Sequence, residues 1–322
     1  MNHDRPLIRI GLSILATLLL AAPSLARDLF VSNASGDDRF NGLAVRSGPD
    51  GSGPVRTIGR ALALARSADQ VVLENTGRPY RESISLVGSR HSGYPDQPFT
   101  IVGNGATIDG SAPVPPGAWE HYEGAVFRFL PPRKGRAQLF LDGRPATRVV
   151  ADFVADRPPE LEPTEWCFLD GWIYFCVEET KLPDDYTPSF AHLPVGITLY
   201  HVHGVAILDV TIQGFQLDGV NAYNSARDVY LGGVIARGNA RSGIAVGGAS
   251  VVTLEACLVG NNGEAQVLTL PYSRTAIEHC DLLGATAPAW VARGGEVWID
   301  GEEAHGGADE VAPGDPAAEA AR

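Results

Sequence analysis

The stretch VTLEACLVGNN (252–262) repeats, 23 residues on, the pattern of VYLGGVIARGN (229–239). Apolar and small residues fill the same slots, and both runs close on Gly or Asn. Extended in both directions, the match becomes a set of columns. Val205, Val229, Val252 and Thr275 align, as do Ile207, Leu231, Leu254 and Ile277. Val210, Val234, Cys257 and Cys280 form the next column, followed by Ile212, Ala236, Val259 and Leu282. A second set opens each unit: Ile197, Val220, Ile244, Val267 and Trp290. Corners recur at Gly214, Gly238, Asn261 and Gly284, with Asn239 and Asn262 following two of them. Every step is 23 or 24 residues.

A fixed period in this range, with short strands and Gly/Asn corners, is the mark of a solenoid. Leucine-rich repeats share the period but need a Leu-x-x-Leu-x-Leu run in each unit, which these units lack. Helical repeats need longer units and helix formers, whereas these are rich in Val, Ile, Gly and Thr. In a parallel β-coil each turn stacks about 4.8 Å above the last, so an inward column becomes a ladder of like side chains. One coil cannot bury its apolar face alone, and stacked coils can. The fold class read from the columns is all-β, a right-handed parallel β-helix, the hand following the preference of parallel crossovers.

The coils occupy residues 195–300. Residues 27–112 read as an N-terminal cap and first coils: TIGRALALARSAD (57–69) has helical spacing of Ile58, Leu62 and Ala65, and short alternating runs follow. A helix over the end of a coil stack protects an open edge. Residues 113–194 break the pattern. They are rich in Pro, carry Trp119, Trp166 and Trp172, and hold two Asp-Gly turns, Asp142-Gly143 and Asp170-Gly171. This region reads as an inserted hairpin subdomain, since a structureless loop of such length is uncommon in a compact domain. The acidic Ala/Gly/Pro/Glu-rich tail, 301–322, is expected to be disordered.

Residues 1–26 read as a secretory signal peptide: Arg5 and Arg9, an apolar run from Ile10 to Ala22, then small residues before a cleavage point. The run is short for a membrane span, so the expected location is secreted or periplasmic, with no membrane attachment after cleavage. The chain of 322 residues has a formal charge of −13, which argues against nucleic acid as a partner. It contains only two lysines, Lys134 and Lys181. Four cysteines in an exported chain invite disulfides. Across the Asp170-Gly171 turn, however, Cys167 faces Tyr174 and Cys176 faces Glu165, so a Cys167–Cys176 bridge needs a bulge that shifts the register. Cys257 stacks on Cys280; buried thiols are favoured there over a bridge, which the coil spacing nonetheless permits. No Cys/His cluster has zinc-finger spacing, and no metal ligand set is assigned.

LFVSNASGDD (29–38), GPVRTIGRALALARSADQVVL (53–73) and PFTIVGNGATIDGS (98–111) resemble the N-terminal pattern of secreted right-handed β-helix proteins of the pectin-lyase-like superfamily. QLFLDGRPATRV (138–149) and WCFLDGWIYFCV (166–177) resemble a hairpin insertion of its carbohydrate-active members. The resemblance spans most of residues 28–300 and implies a polysaccharide as substrate or partner, whether for a polysaccharide lyase, a glycoside hydrolase or a non-catalytic glycan-binding or structural surface protein. The paired Asp, Gly-His-Gly and Arg-x-Lys pattern of polygalacturonases is missing, and HVHG (201–204) does not supply it.

A lyase needs a base and a neutraliser for the substrate carboxylate, either arginine or carboxylate-held calcium. A hydrolase needs two carboxylates across a cleft. Asp218, Arg241 and His203 are the candidate catalytic set, as acid, neutraliser and base. Alternation turns Tyr200, Tyr223 and Asn221 outward, with the two tyrosines stacked as a platform for a sugar face. The bland alternatives are a corner Asp bonded to its own turn, a satisfied corner His and a surface ladder beneath the insertion. Glu255 and Glu278 share an outward column, but no three acidic residues are expected to stack as a calcium site. Calcium is the one cofactor that the candidate chemistry would use.

Overall fold

The computed structural model describes residues 26–304 apart from positions 153 and 285. The segment read as a signal peptide lies outside the described residues except for its last position, as does the tail beyond Ala304. The chain winds as a right-handed parallel β-helix with three faces. The first face stacks Ile84–Val87, Ile197–Tyr200, Asp218–Asn224, Ser242–Val246, Ala265–Thr269 and Trp290–Ala292. The second runs from Asp28–Val31 through Phe99–Asp109, His203–Gln213, Arg227–Gly232, Val251–Glu255 and Ser273–Glu278 to Gly295–Ile299. The third begins in the C-terminal halves of the two eleven-residue strands and continues through Ile235–Arg237, Leu258–Gly260 and Asp281–Leu283.

The sequence columns are the strand registers. Val205 pairs with Val229, Val229 with Val252 and Val252 with Thr275. Ile197, Val220, Ile244, Val267 and Trp290 likewise stand in register on the first face. Their side chains join one continuous core from Leu29 to Val297. Between the second and third faces, Asn104, Asp209, Gly233, Ala256 and His279 all take left-handed backbone with φ near +50° to +60°. Repetition of one strained conformation at the same place in each coil makes the corner, and the stacked sheets on either side supply the compensating bonds.

Where the chain turns toward the first face, the core is polar. Asn239 accepts from the Phe215 amide at 3.2 Å, and Asn262 accepts from the Asn239 amide at 2.9 Å. Asn262 Nδ2 in turn donates to Gln266 Oε1 at 2.9 Å, and Gln266 Nε2 ends the series on the Ala287 carbonyl at 3.1 Å. All three side chains are fully buried. The ladder carries the backbone groups of a corner that cannot reach the strand ladders.

At the N-terminal end the helix Ile58–Leu64 starts at Thr57, whose hydroxyl accepts from the Arg60 amide at 3.1 Å, and buries Ile58, Ala61 and Leu62. His91 ties this helix to the first coil. Its Nδ1 accepts from the Val87 amide at 3.0 Å, and its Nε2 lies 3.0 Å from the Leu62 carbonyl. Only a proton on Nε2 satisfies both, so the neutral tautomer is the bonded one.

The insertion interrupts the coils between Phe99–Asp109 and His203–Gln213, which pair directly across the gap. It has its own core of Trp166, Phe175, Phe190, Leu139 and Ile173. Both Asp-Gly turns are hairpin turns with positive φ at each residue. Leu169 faces Trp172 and Cys167 faces Tyr174, with no bulge, so Cys167 and Cys176 stay free thiols. The expected boundary of the tail moves: Asp300-Gly301 forms a further turn, and Glu302–Glu303 folds back on Trp298–Ile299.

Asn262→Leu strips the ladder of an acceptor for two Asn239 donors. It also takes the Nδ2 donor away from Gln266 Oε1, and each buried group left without a partner costs about 1–3 kcal/mol; a lowered urea midpoint at unchanged m-value checks this. Burial lowers the pKa of His91 below its ordinary value. The unfolded chain therefore binds this proton more readily than the folded one, and stability present above about pH 6.5 declines as pH falls toward the folded-state value. Denaturant melts between pH 7.5 and 5 should show that slope, and His91→Gln should flatten it.

Candidate functional site

The first-face strands open on Asp218, which is brought together with two of its expected companions. Its Oδ1 accepts from Arg241 Nε at 2.9 Å and Ser242 Oγ at 2.6 Å. Its Oδ2 accepts from Arg241 Nη2 at 2.6 Å and Asn221 Nδ2 at 2.7 Å. The Asp218 side chain is 0% exposed and that of Arg241 20%. Burial works against the Arg241 charge, but the bonds to Asp218 outweigh it and the guanidinium pKa ends above its usual value. Four donors saturate a carboxylate that solvent cannot reach. Asp218 therefore acts as a post that holds two coils together, and Asn221 is part of its shell.

His203 stands elsewhere. It follows the far end of the first-face strand and pairs in register with Arg227 at the start of the second face. The length of the strand Asp218–Asn224 separates that bend from Asp218, so Asp218, Arg241 and His203 do not form one site. The tyrosine platform is corrected as well. The register slips between Thr198 and Tyr200, so Tyr200 falls beside Asn224 instead of Tyr223. Tyr200 is exposed, with its ring edge-on to His201 at 4.3 Å, whereas Tyr223 lies over Gly247 of the next coil.

The outward acid column also differs from expectation. Glu255 pairs with Glu278, as the spacing requires, and Ile277 pairs with Ile299. Asp300 therefore follows Glu278 in the same column. Donor atoms of Glu278, His279 and Asp300 lie within 4.8 Å of one another. Three acids do stack, because the last step shortens to 22 residues. With one imidazole among the donors the set is a poor match for calcium, which takes six to eight oxygens.

A better-formed site lies where the insertion meets the coils. A cavity of about 500 Å³ is lined by Arg133, Lys134, Arg136, Phe168, Asp170 and Gln216, among others. Arg133 and Lys134 are exposed and make no ion pair among the described residues. Arg136 reaches across to Glu264 of the coils, at 2.5 Å from Nε to Oε1. Arg148 stands behind, its guanidinium 5.5 Å from the centre of the Trp166 ring and its Nε buried without a partner. Burial lowers the Arg148 pKa, and the neighbouring Glu264 carboxylate opposes that shift. The insertion docks closely here: a Cβ on Gly238, whose φ is +61°, would come within 2.8 Å of both Phe140 and Pro145. Sequence reasoning passed over this site, although PPRKGR (131–136) places three cations in six residues of an acidic chain.

A second cavity, about 700 Å³, follows the opposite bend along Arg227, Val251, Tyr272 and Arg274. It is a strip of coil surface without an apposed wall from the insertion, and Arg274 is neutralised by Glu296 at 2.8 Å.

These features define a right-handed β-helix protein with a docked β insertion. Residues 195–301 match the family described as "Right handed beta helix region". No curated protein matches the chain. Among solved structures, a protein titled "Glycoside hydrolase" superposes with a TM-score of 0.56 at 13% identity, covering 79% of this chain and 73% of that one. A complex of XylC with xylose gives 0.41 at 12% identity, covering 84% and 69%. The GH136 lacto-N-biosidase from Eubacterium ramulus gives 0.41 at 14% identity, covering 79% of this chain and 42% of its own. The first of these likenesses is one of fold.

Arg241→Ala leaves the Asp218 carboxylate buried and unpaired, and such losses typically cost about 3–5 kcal/mol. Chemical denaturation should register that loss. His203→Ala, on an exposed bend, should leave stability within about 0.5 kcal/mol of the parent.

Proposed function

We propose that the protein is an exported glycan-binding β-helix, and that it holds a saccharide chain in the cleft between the insertion and the coils. The observation that carries this reading is the cavity lined by Arg133, Lys134, Arg136, Phe168 and Gln216. An aromatic ring offers a sugar its apolar face, and Gln216 offers both a donor and an acceptor to hydroxyl groups. The two unpaired cations suit a sugar bearing carboxylate or sulfate. The chain as a whole is acidic, so a polyanion is attracted only where cations cluster, and screening confines the overall repulsion to low salt. Export rests on the N-terminal segment. The fold shared with a glycoside hydrolase is compatible with this reading and does not by itself define an activity.

Binding is favoured over turnover because the buried Asp218 is withheld from any ligand. The carboxylates left at the seam are Asp170 in the cavity wall and Glu264, which is occupied by Arg136. Affinity electrophoresis against neutral and acidic polysaccharides should show retardation by at least one acidic glycan. The double variant Arg133→Ala/Lys134→Ala should weaken it by about tenfold or more, equivalent to about 1.4 kcal/mol. Unchanged retardation would remove the cleft from the reading. New reducing ends, or absorbance from unsaturated uronate, would replace binding with hydrolysis or elimination.

A further inference from the structure

All four cysteines are free thiols, and two of them are placed to be something else. Cys257 and Cys280 occupy the same position in consecutive coils. The strand pairs on either side, Glu255 with Glu278 and Leu258 with Asp281, are in register. Their α-carbons are therefore about one strand spacing apart, roughly 4.8 Å, within the span of about 4.4–6.8 Å that a disulfide bridges. The sulfur of Cys280 already lies against the coil above, accepting from the Cys257 amide at 3.3 Å. The Cys257 thiol points the same way, toward the Leu231 carbonyl at 3.3 Å. Forming the S–S bond gives up this contact and the one that the Cys257 thiol makes with the Glu255 carbonyl at 3.5 Å. Cys167 and Cys176 lack that relation: in the register of their hairpin, Cys167 faces Tyr174 and Cys176 faces Val126.

The two thiols are also unequal. Bonding from Cys257 holds the pKa of Cys280 below its ordinary value, while the same contact, together with burial, pushes Cys257 upward. Cys280 is the partly exposed member, and Cys257 is buried. A thiolate that is accessible beside a protonated, enclosed partner is the arrangement of an attacking and a resolving cysteine.

We propose that Cys257 and Cys280 are an oxidisable pair that closes to a disulfide with a small-molecule disulfide as oxidant, stapling adjacent coils near the C-terminal end of the stack. The Cys280 thiolate attacks one sulfur of the oxidant, whose S–S bond breaks. The released thiolate takes up the proton that Cys280 gave up, leaving a mixed disulfide. Cys257 then loses its proton and attacks the Cys280 sulfur, and the second half of the oxidant departs with that proton as a thiol. Two protein thiols are oxidised, and one disulfide is reduced to two thiols. The staple would close a loop in the unfolded chain and so favour the folded state.

The test is to incubate the reduced full chain with oxidised glutathione under native conditions, then quench and count thiols. The expected result is a fall from four free thiols to two, a Cys257–Cys280 peptide in a non-reducing digest, and a thermal midpoint several degrees higher that dithiothreitol reverses. Cys257→Val should keep the fold, since the same column carries Val210 and Val234, and should abolish both the cross-link and the thermal shift. Four thiols surviving, a reaction that stops at glutathionylated Cys280, or a cross-link through Cys167 and Cys176 would each overturn the proposal.

Discussion

Everything in this molecule depends on one stacking interval. A parallel coil places its neighbour about 4.8 Å away, and at that distance like must sit on like. Apolar residues then form a dry column from Leu29 to Val297. Asparagine can be buried because the next asparagine, and finally Gln266, meets its amide. The same interval that stabilises Val on Val would penalise charge on charge. Where Glu255, Glu278 and Asp300 do stack, they face outward, and water dilutes the repulsion.

Charge is handled differently where it is buried, most completely at Asp218. Asp218 is enclosed, and only the two Arg241 bonds with the help of Ser242 and Asn221 make that tolerable. Its neighbour across the seam, Glu264, stays partly exposed and is met by Arg136 from the insertion. The insertion therefore docks through apolar contacts of Phe140 and Pro145 against Gly238, and through an ion pair beside them. This apposition turns a basic loop into the wall of a cleft. A lone coil surface, such as the opposite bend with its Arg274–Glu296 pair, offers no second wall.

Much of the fold was legible because the repeat is self-checking. The columns that begin at Ile197, Val205, Ile207 and Ile212 recur as strand registers, and the hairpin of Cys167 and Cys176 has the pairing its two-residue turn dictates. The site was far less legible. Outward positions inherit no packing constraint, so a single slip goes unannounced: one between Thr198 and Tyr200 separated the expected tyrosine pair, and one shortened step added Asp300 to the acid column. Asp218 looked like a surface corner because its periodicity says nothing of the arginine one coil away that draws it in.

By itself, the sequence determined the coil, its period, its inward columns and the two hairpins of the insertion, because these follow from local turn chemistry and from a spacing repeated every 23 or 24 residues. Only the tertiary structure decided where the insertion lies, which charges are buried and which cations remain unpaired. Those outcomes depend on contacts between segments as distant in the chain as Arg136 and Glu264, and no periodicity links two residues that meet only once.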